Sequence, residues 1–245
     1  MATQPHNSSA NLYGSDGRLT VHRSMFDHIE QGARLVIVGI TPGAQQRDLA
    51  DVAYAAALRR GQSQTEAART AKFAASFGGA MRNNLIATLD HAGAARMLGI
   101  ASTAVLFDPT TRGLAHFTSA LRYPVFLDGE NYNGQVPMLR SPLLRTMIDT
   151  LLVQEVSHLR TAIWQPLGDK PAGALAYLVE RGIIAADRVA PALPHPSGAN
   201  AERIAYFIGR KAASDLSAKT RADRIDALRS QLQAFYGRHT GGGRA

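Results

Sequence analysis

Apolar runs and helical periodicities alternate along this chain. Arg34-Leu-Val-Ile-Val-Gly-Ile40 is a short, continuous apolar run rich in β-branched residues, and it ends in Thr41-Pro42-Gly43. Such a run bounded by turn residues predicts a buried strand followed by a tight turn. Helical spacing then predicts helices over about 48–60, 64–74 and 79–97. Ser63-Gln-Thr-Glu66 reads as a capping box for the second, and Leu85, Ile86 and Leu89 mark the core face of the third. Thr103-Ala-Val-Leu-Phe107 and His116-Phe-Thr-Ser-Ala-Leu121 are the next expected strands. A helix over about 143–157, a strand at Thr161-Ala-Ile-Trp-Gln165, a helix over about 171–181 and a strand over about 188–193 follow. Helices over about 201–212 and 215–236 close the pattern, the last with Ile225, Leu228, Leu232 and Phe235 at core spacing.

Strands that alternate with helices predict an α/β fold: a three-layer sandwich around a central parallel sheet of about four strands. Residues 1–18 are polar and are expected to form a loose tail. Residues 19–213 are expected to form one α/β domain, and 214–245 a C-terminal helix with a Gly-rich end. The stretch 122–142, RYPVFLDGENYNGQVPMLRSP, is expected to be a long functional loop. In such a sheet, ligands bind outside the carboxyl ends of the strands. The turn at 41–48, the segment after the 116–121 strand, the loop after Gln165 and residues 194–200 are therefore expected to meet at one cleft.

Composition narrows the chemistry. The 245 residues contain no cysteine, which excludes disulfides, thiolate metal sites, a cysteine nucleophile and a Cys-ligated iron–sulfur cluster. No cofactor or metal is expected. No run approaches the roughly 18 apolar residues of a membrane span. The N-terminus lacks a basic segment followed by an apolar one, so no secretory signal and a cytoplasmic location are expected. Lys and Arg number 27 against 19 Asp and Glu, for a net charge of +8. The sequence pI of about 10.2 is what a nucleic-acid binder shows. Only four of the basic residues are lysines, so an arginine-rich genome is the competing explanation.

Two motifs carry the chemistry. Thr41-Pro42-Gly43-Ala44 leaves a buried strand as a rigid turn, where Gly43 permits close approach of a ligand. His195-Pro196-Ser197-Gly198 holds an imidazole between two prolines, with Ser197 just ahead of a helix where a phosphate can bind. Taken singly, a structural turn and a capping serine are the commoner explanations.

Together, Ile37-Val-Gly-Ile-Thr-Pro-Gly43 and Leu193-Pro-His-Pro-Ser-Gly-Ala-Asn200 resemble the two signature motifs of the uracil-DNA glycosylase superfamily. Three intervening segments also look like that family: Phe77-Gly-Gly-Ala-Met81, Phe117-Thr-Ser-Ala-Leu-Arg-Tyr-Pro124, and Trp164-Gln-Pro-Leu-Gly168 with Ala172 and Leu175. The resemblance spans about 34–212. It implies a DNA glycosylase that flips a base out of the duplex and hydrolyses its glycosidic bond, leaving an abasic site. It implies that His195 stabilises the departing anionic base and that Phe77 stacks on the flipped base. Thr118 and Ser119 would read its edge. Ser197, Gly198, Ala199 and Asn200 would hold DNA, with Ala199 at the wedge position.

The chain also departs from the family. Thr41 stands where Asp or Asn usually positions water, which leaves Asp48 or Asp51 as nearby carboxylates. Gly43 stands where uracil enzymes carry a tyrosine that excludes 5-substituted pyrimidines. The absent tyrosine, and Ser119 with Thr118 where an Asn commonly reads the uracil edge, favour an enlarged, modified pyrimidine, as found in some phage DNA and with a defence role, over plain uracil. The alternatives are ordinary uracil repair, a non-catalytic binder of modified or abasic DNA, and a hydrolase of free nucleosides.

Overall fold

The structure, a computed structural model, describes residues 11–111 and 113–240. The chain divides into two units. One comprises the N-terminal segment through His28, Ile40–Ala75 and Ser119–Gln154; the other comprises Ile29–Gly39, Ser76–Thr118 and the chain from Glu155 onward.

The first unit is built on a four-stranded sheet. Its strands are β1 (Leu12–Asp16), β2 (Leu19–His22), β5 (Val125–Leu127) and β6 (Glu130–Asn131), hydrogen-bonded in that order. All its pairings are antiparallel. This corrects two expectations. Residues 12–16 of the expected loose tail form β1, while residues 1–10 lie outside the described residues. The expected loop at 122–142 supplies β5 and β6. The signal was present: Asp128-Gly129 joins β5 to β6 with φ of +52° and +82°, the paired positive values that a two-residue type I′ turn demands.

The same unit holds α1 (Ala44–Arg59) and α2 (Gln64–Ala75), a helical hairpin turned at Gly61, whose φ is +79°. The Ser63 hydroxyl accepts the Glu66 N–H at 3.2 Å, so the predicted N-cap of α2 is present. Alanines let the pair close up, and Phe26 packs with Ala50, Ala71 and Ala75.

The second unit contains a three-stranded parallel sheet, in which β3 (Leu35–Gly39) lies between β4 (Ala115–Ser119) and β7 (Ile163–Pro166). Leu35 to Val38 have no exposed surface, as expected of a central strand covered on both faces. The fourth expected strand shrinks to two parallel bridges, Trp164 to Val189 and Leu167 to Leu193. Pro191 lies between them and has no N–H to extend the ladder. The Gln165 amide meets the Pro191 carbonyl instead, at 2.9 Å.

Helices α3 (Gly79–Ala92) and α4 (Ala94–Leu98) divide the predicted third helix at Gly93, whose φ is +102°. The expected strand at 103–107 is a 3-10 turn. Asp90 of α3 accepts the Thr103 N–H at 2.7 Å and the Ser102 hydroxyl at 2.6 Å, and Ser102 in turn caps Ala104. These side-chain contacts bend the segment away from an extended course. In the segment 142–158, α5 (Pro142–Met147) and α6 (Val153–His158) flank a π-helical stretch.

Helices α7 (Asp169–Glu180), α8 (Ala201–Phe207) and α9 (Ala222–Arg238) complete the second unit. Helix α9 packs on α3, α4 and α8. Its Tyr236 is fully buried and donates its hydroxyl to Gln165 Oε1 at 2.6 Å. The last helix is therefore a core element that ties down β7.

Candidate active site

Within the parallel sheet the chain passes from β3 to β4 on one side and later adds β7 on the other. The strand order reverses between β3 and β7, and ligands of such sheets gather at the carboxyl ends of the strands that flank the reversal. Here those ends are Gly39 and Pro166.

Residues 193–200 are held at the end of β7. Leu193 donates its N–H to Pro166 at 3.0 Å, and its carbonyl accepts Gly168 N–H at 2.8 Å. Gly168 has φ of +89°, a conformation that favours glycine, and a Cβ there would meet His195 Cβ at 3.7 Å. From α3, Asn84 donates to the Pro196 carbonyl at 3.0 Å. Asn200 donates back to the His195 carbonyl at 3.1 Å.

These contacts define the state of the imidazole. The Ser197 N–H donates to His195 Nδ1 at 3.3 Å, so Nδ1 acts as an acceptor and the neutral ring carries its proton on Nε2. Burial of the ring pushes its pKa below the usual histidine value, which favours that neutral form. The result is an imidazole whose Nε2–H has no partner among the described residues, a donor suited to a developing anion. The Ser197 hydroxyl has no protein partner among the described residues. Gly198 and Ala199 form an exposed tip.

Phe77 departs from expectation. Its Ser-Phe-Gly-Gly context suggests a ring outside the core, yet it is only 9% exposed. It meets Phe117 edge-on with centroids 6.0 Å apart, and Phe107 stacks on Phe117 at 5.0 Å. Along β4, alternation sends Phe117 and Ser119 to one face and His116 and Thr118 to the other. The Thr118 hydroxyl is buried without a hydrogen-bond partner among the described residues. On that face His116 pairs with Glu155 at 3.2 Å, and both are fully buried.

Thr41, Gly43, Asp48 and Ser119 belong to the first unit; Phe77, Thr118, His195 and residues 197–200 belong to the second. The Thr41 hydroxyl is engaged with the backbone. It donates to the Tyr123 carbonyl at 2.8 Å and accepts the Val125 N–H at 3.1 Å. Its proton is spent on fastening the backbone ahead of β5, so toward a water this hydroxyl can act only as an acceptor. Asp48 is exposed on α1 and pairs with Arg47 at 3.0 Å. Asp51 accepts the Ser24 hydroxyl at 2.9 Å.

Gly43 is the N-cap of α1 with φ of −83°, a conformation open to any residue. A Cβ at 43 would lie 3.5 Å from the Asn131 amide, whose Oδ1 accepts the Ala44 N–H at 2.9 Å. Sequence reading missed Asn131, Asn84, Gln165 and Tyr236. Only the Asp-Gly turn beside Asn131 offered a local clue.

No family model matches the chain, and no solved structure matches it. It is 35% identical over 202 residues to the uncharacterized protein YoxB of Bacillus subtilis (strain 168), across 82% of this chain and 78% of that protein. With that identity over most of both sequences, the chain belongs to the family of YoxB.

Proposed function

We propose that the protein is a DNA glycosylase resembling the uracil-DNA glycosylase superfamily. It hydrolyses the N-glycosidic bond of a flipped-out, enlarged pyrimidine and leaves an abasic site. Its proposed role is defence against modified foreign DNA. The observation that carries this reading is His195, a neutral imidazole whose Nε2 proton has no partner among the described residues, held at the carboxyl end of a parallel strand.

When the glycosidic bond breaks, its electron pair leaves with the base and the sugar becomes cationic. Water then adds to the sugar carbon and gives up a proton, and the base anion takes one up. The Nε2–H of His195 meets the new negative charge on a base oxygen, the moment at which a fixed donor contributes most. Under this reading Ser119 reads the base edge in preference to Thr118, because Ser119 shares the Phe117 face of β4. Ser197, Gly198, Ala199 and Asn200 contact the DNA backbone, and the net charge of +8 favours a polymer over a free nucleoside.

One observation favours a second reading, a non-catalytic sensor of modified or abasic DNA. The residue at the water-positioning place, Thr41, has its hydroxyl proton bound to backbone. Mass spectrometry of the products of duplexes carrying uracil or 5-substituted pyrimidines separates the two. A released free base supports the enzyme; tight binding with no release supports the sensor. Cleavage of free nucleosides with no action on DNA refutes both.

A further inference from the structure

Phe77 has φ of +45°, and Asp128 is the other non-glycine residue with positive φ among the described residues. Asp128 sits in a hairpin turn that demands such a value. Phe77 does not; it stands between Ser76 and the N-cap Gly78 of α3. A bulky side chain in this region of conformational space costs free energy and persists only where the surroundings enforce it.

Arg82 supplies the enforcement from the first turn of α3. Its Nε donates to the Phe77 carbonyl at 2.7 Å and Nη2 donates to the Ser76 carbonyl at 3.3 Å. The flat guanidinium also lies over the Phe107 ring, 5.0 Å from its centroid. Phe107 stacks on Phe117, and Phe117 meets Phe77 edge-on. The contacts close a circuit from the Phe77 backbone through Arg82, Phe107 and Phe117 to the Phe77 ring. No carboxylate pairs with Arg82 among the described residues, so its charge serves this loop. A lysine has neither the planar fork nor the flat face that this arrangement uses.

We infer that Arg82 is a positioning residue: it holds Phe77 in its left-handed conformation and thereby sets the ring at the angle from which it stacks on a flipped base. The inference rests on the glycosylase reading for the last step and on geometry for the first.

Two cycles of variants test it. In urea unfolding, Arg82→Ala lowers the folding constant about tenfold in the native background and less than about threefold beside Phe77→Gly, which no longer needs the clamp. In single-turnover release from a 5-substituted duplex, Arg82→Ala and Arg82→Lys each slow the native protein about tenfold or more, with duplex affinity unchanged. Neither slows Phe77→Ala further. Equal unfolding losses in both backgrounds overturn the clamp. Slowing that persists beside Phe77→Ala overturns the positioning role, because Arg82 then acts without Phe77. Arg82→Lys keeps the test open if the alanine variant fails to fold. A native protein that releases no base from any duplex, with the unfolding cycle coupled, retires the glycosylase reading and the stacking step while supporting the clamp.

Discussion

The turns at Thr41 and at His195 look alike in sequence. Each follows an apolar segment, each holds a polar side chain next to proline, and each leads into a helix or helical turn. Their side chains end in opposite states. The Thr41 hydroxyl is consumed by the backbone groups of Tyr123 and Val125. The His195 imidazole uses one nitrogen to accept a local N–H and keeps the proton on the other. The first turn is a fastener and the second presents a donor. A motif gives the identity of a polar group, but availability depends on who else bonds to it.

The largest expected effect is at His195. Loss of one donor aimed at developing charge costs about 100–1,000-fold in rate. His195→Ala should slow single-turnover base release by that factor and leave the circular dichroism spectrum unchanged, since the ring is only partly buried. An unchanged release rate breaks the comparison at its catalytic side.

Gly43→Tyr comes next. On the family resemblance the new ring takes the place of the tyrosine that excludes 5-substituents, so release of a bulky 5-substituted pyrimidine should disappear while release of uracil continues. Gly43→Ala should behave as the native protein, because φ is −83° and the added Cβ makes ordinary contact at 3.5 Å. If Asn131→Ala reproduces the tyrosine effect, the cap on Ala44 is responsible and no gate exists.

Thr41 should affect stability without affecting chemistry. Thr41→Val strands a carbonyl and an N–H and should cost about 1–3 kcal/mol in urea denaturation, whereas Thr41→Ser keeps both bonds and most of the stability. Release per folded molecule should match the native protein in both. A catalytic defect in Thr41→Val without loss of stability would reverse the roles of the two turns.

The smallest effect is a titration. NMR of the His195 ring should give a pKa below the unperturbed histidine value of about 6.5, because burial disfavours the imidazolium. The unfolded chain then binds the proton more readily than the native state. The stability contributed by neutral His195 is complete above pH of about 6.5 and is lost as the pH falls through the lower, native pKa. A normal or raised value contradicts the neutral donor.

Much of the parallel sheet was legible because its information is local. Leu35–Gly39 announces a strand buried on both faces, and the Ser63 cap announces α2. Where a side chain rewires its neighbourhood, local reading failed. Asp90 turns the apolar, β-branched 103–107 segment into a 3-10 turn, and Pro191 reduces a strand to two bridges. Phe77 looks exposed because it is followed by glycines, but its burial comes from Phe117, 40 positions away.

By itself, then, the sequence determined the alternation of strands and helices, the absence of thiol chemistry, the basic charge and the residue types at each turn. Each follows from composition or from spacing within a few residues. Tertiary structure decided which of those residues stay available. The hydroxyl of Thr41 is spent on groups 82 and 84 positions away, and Gln165 is held by Tyr236, 71 positions later. A hydrogen-bond donor can serve a ligand only when the fold has not already given it a partner, and those partners come from parts of the chain that no local pattern connects.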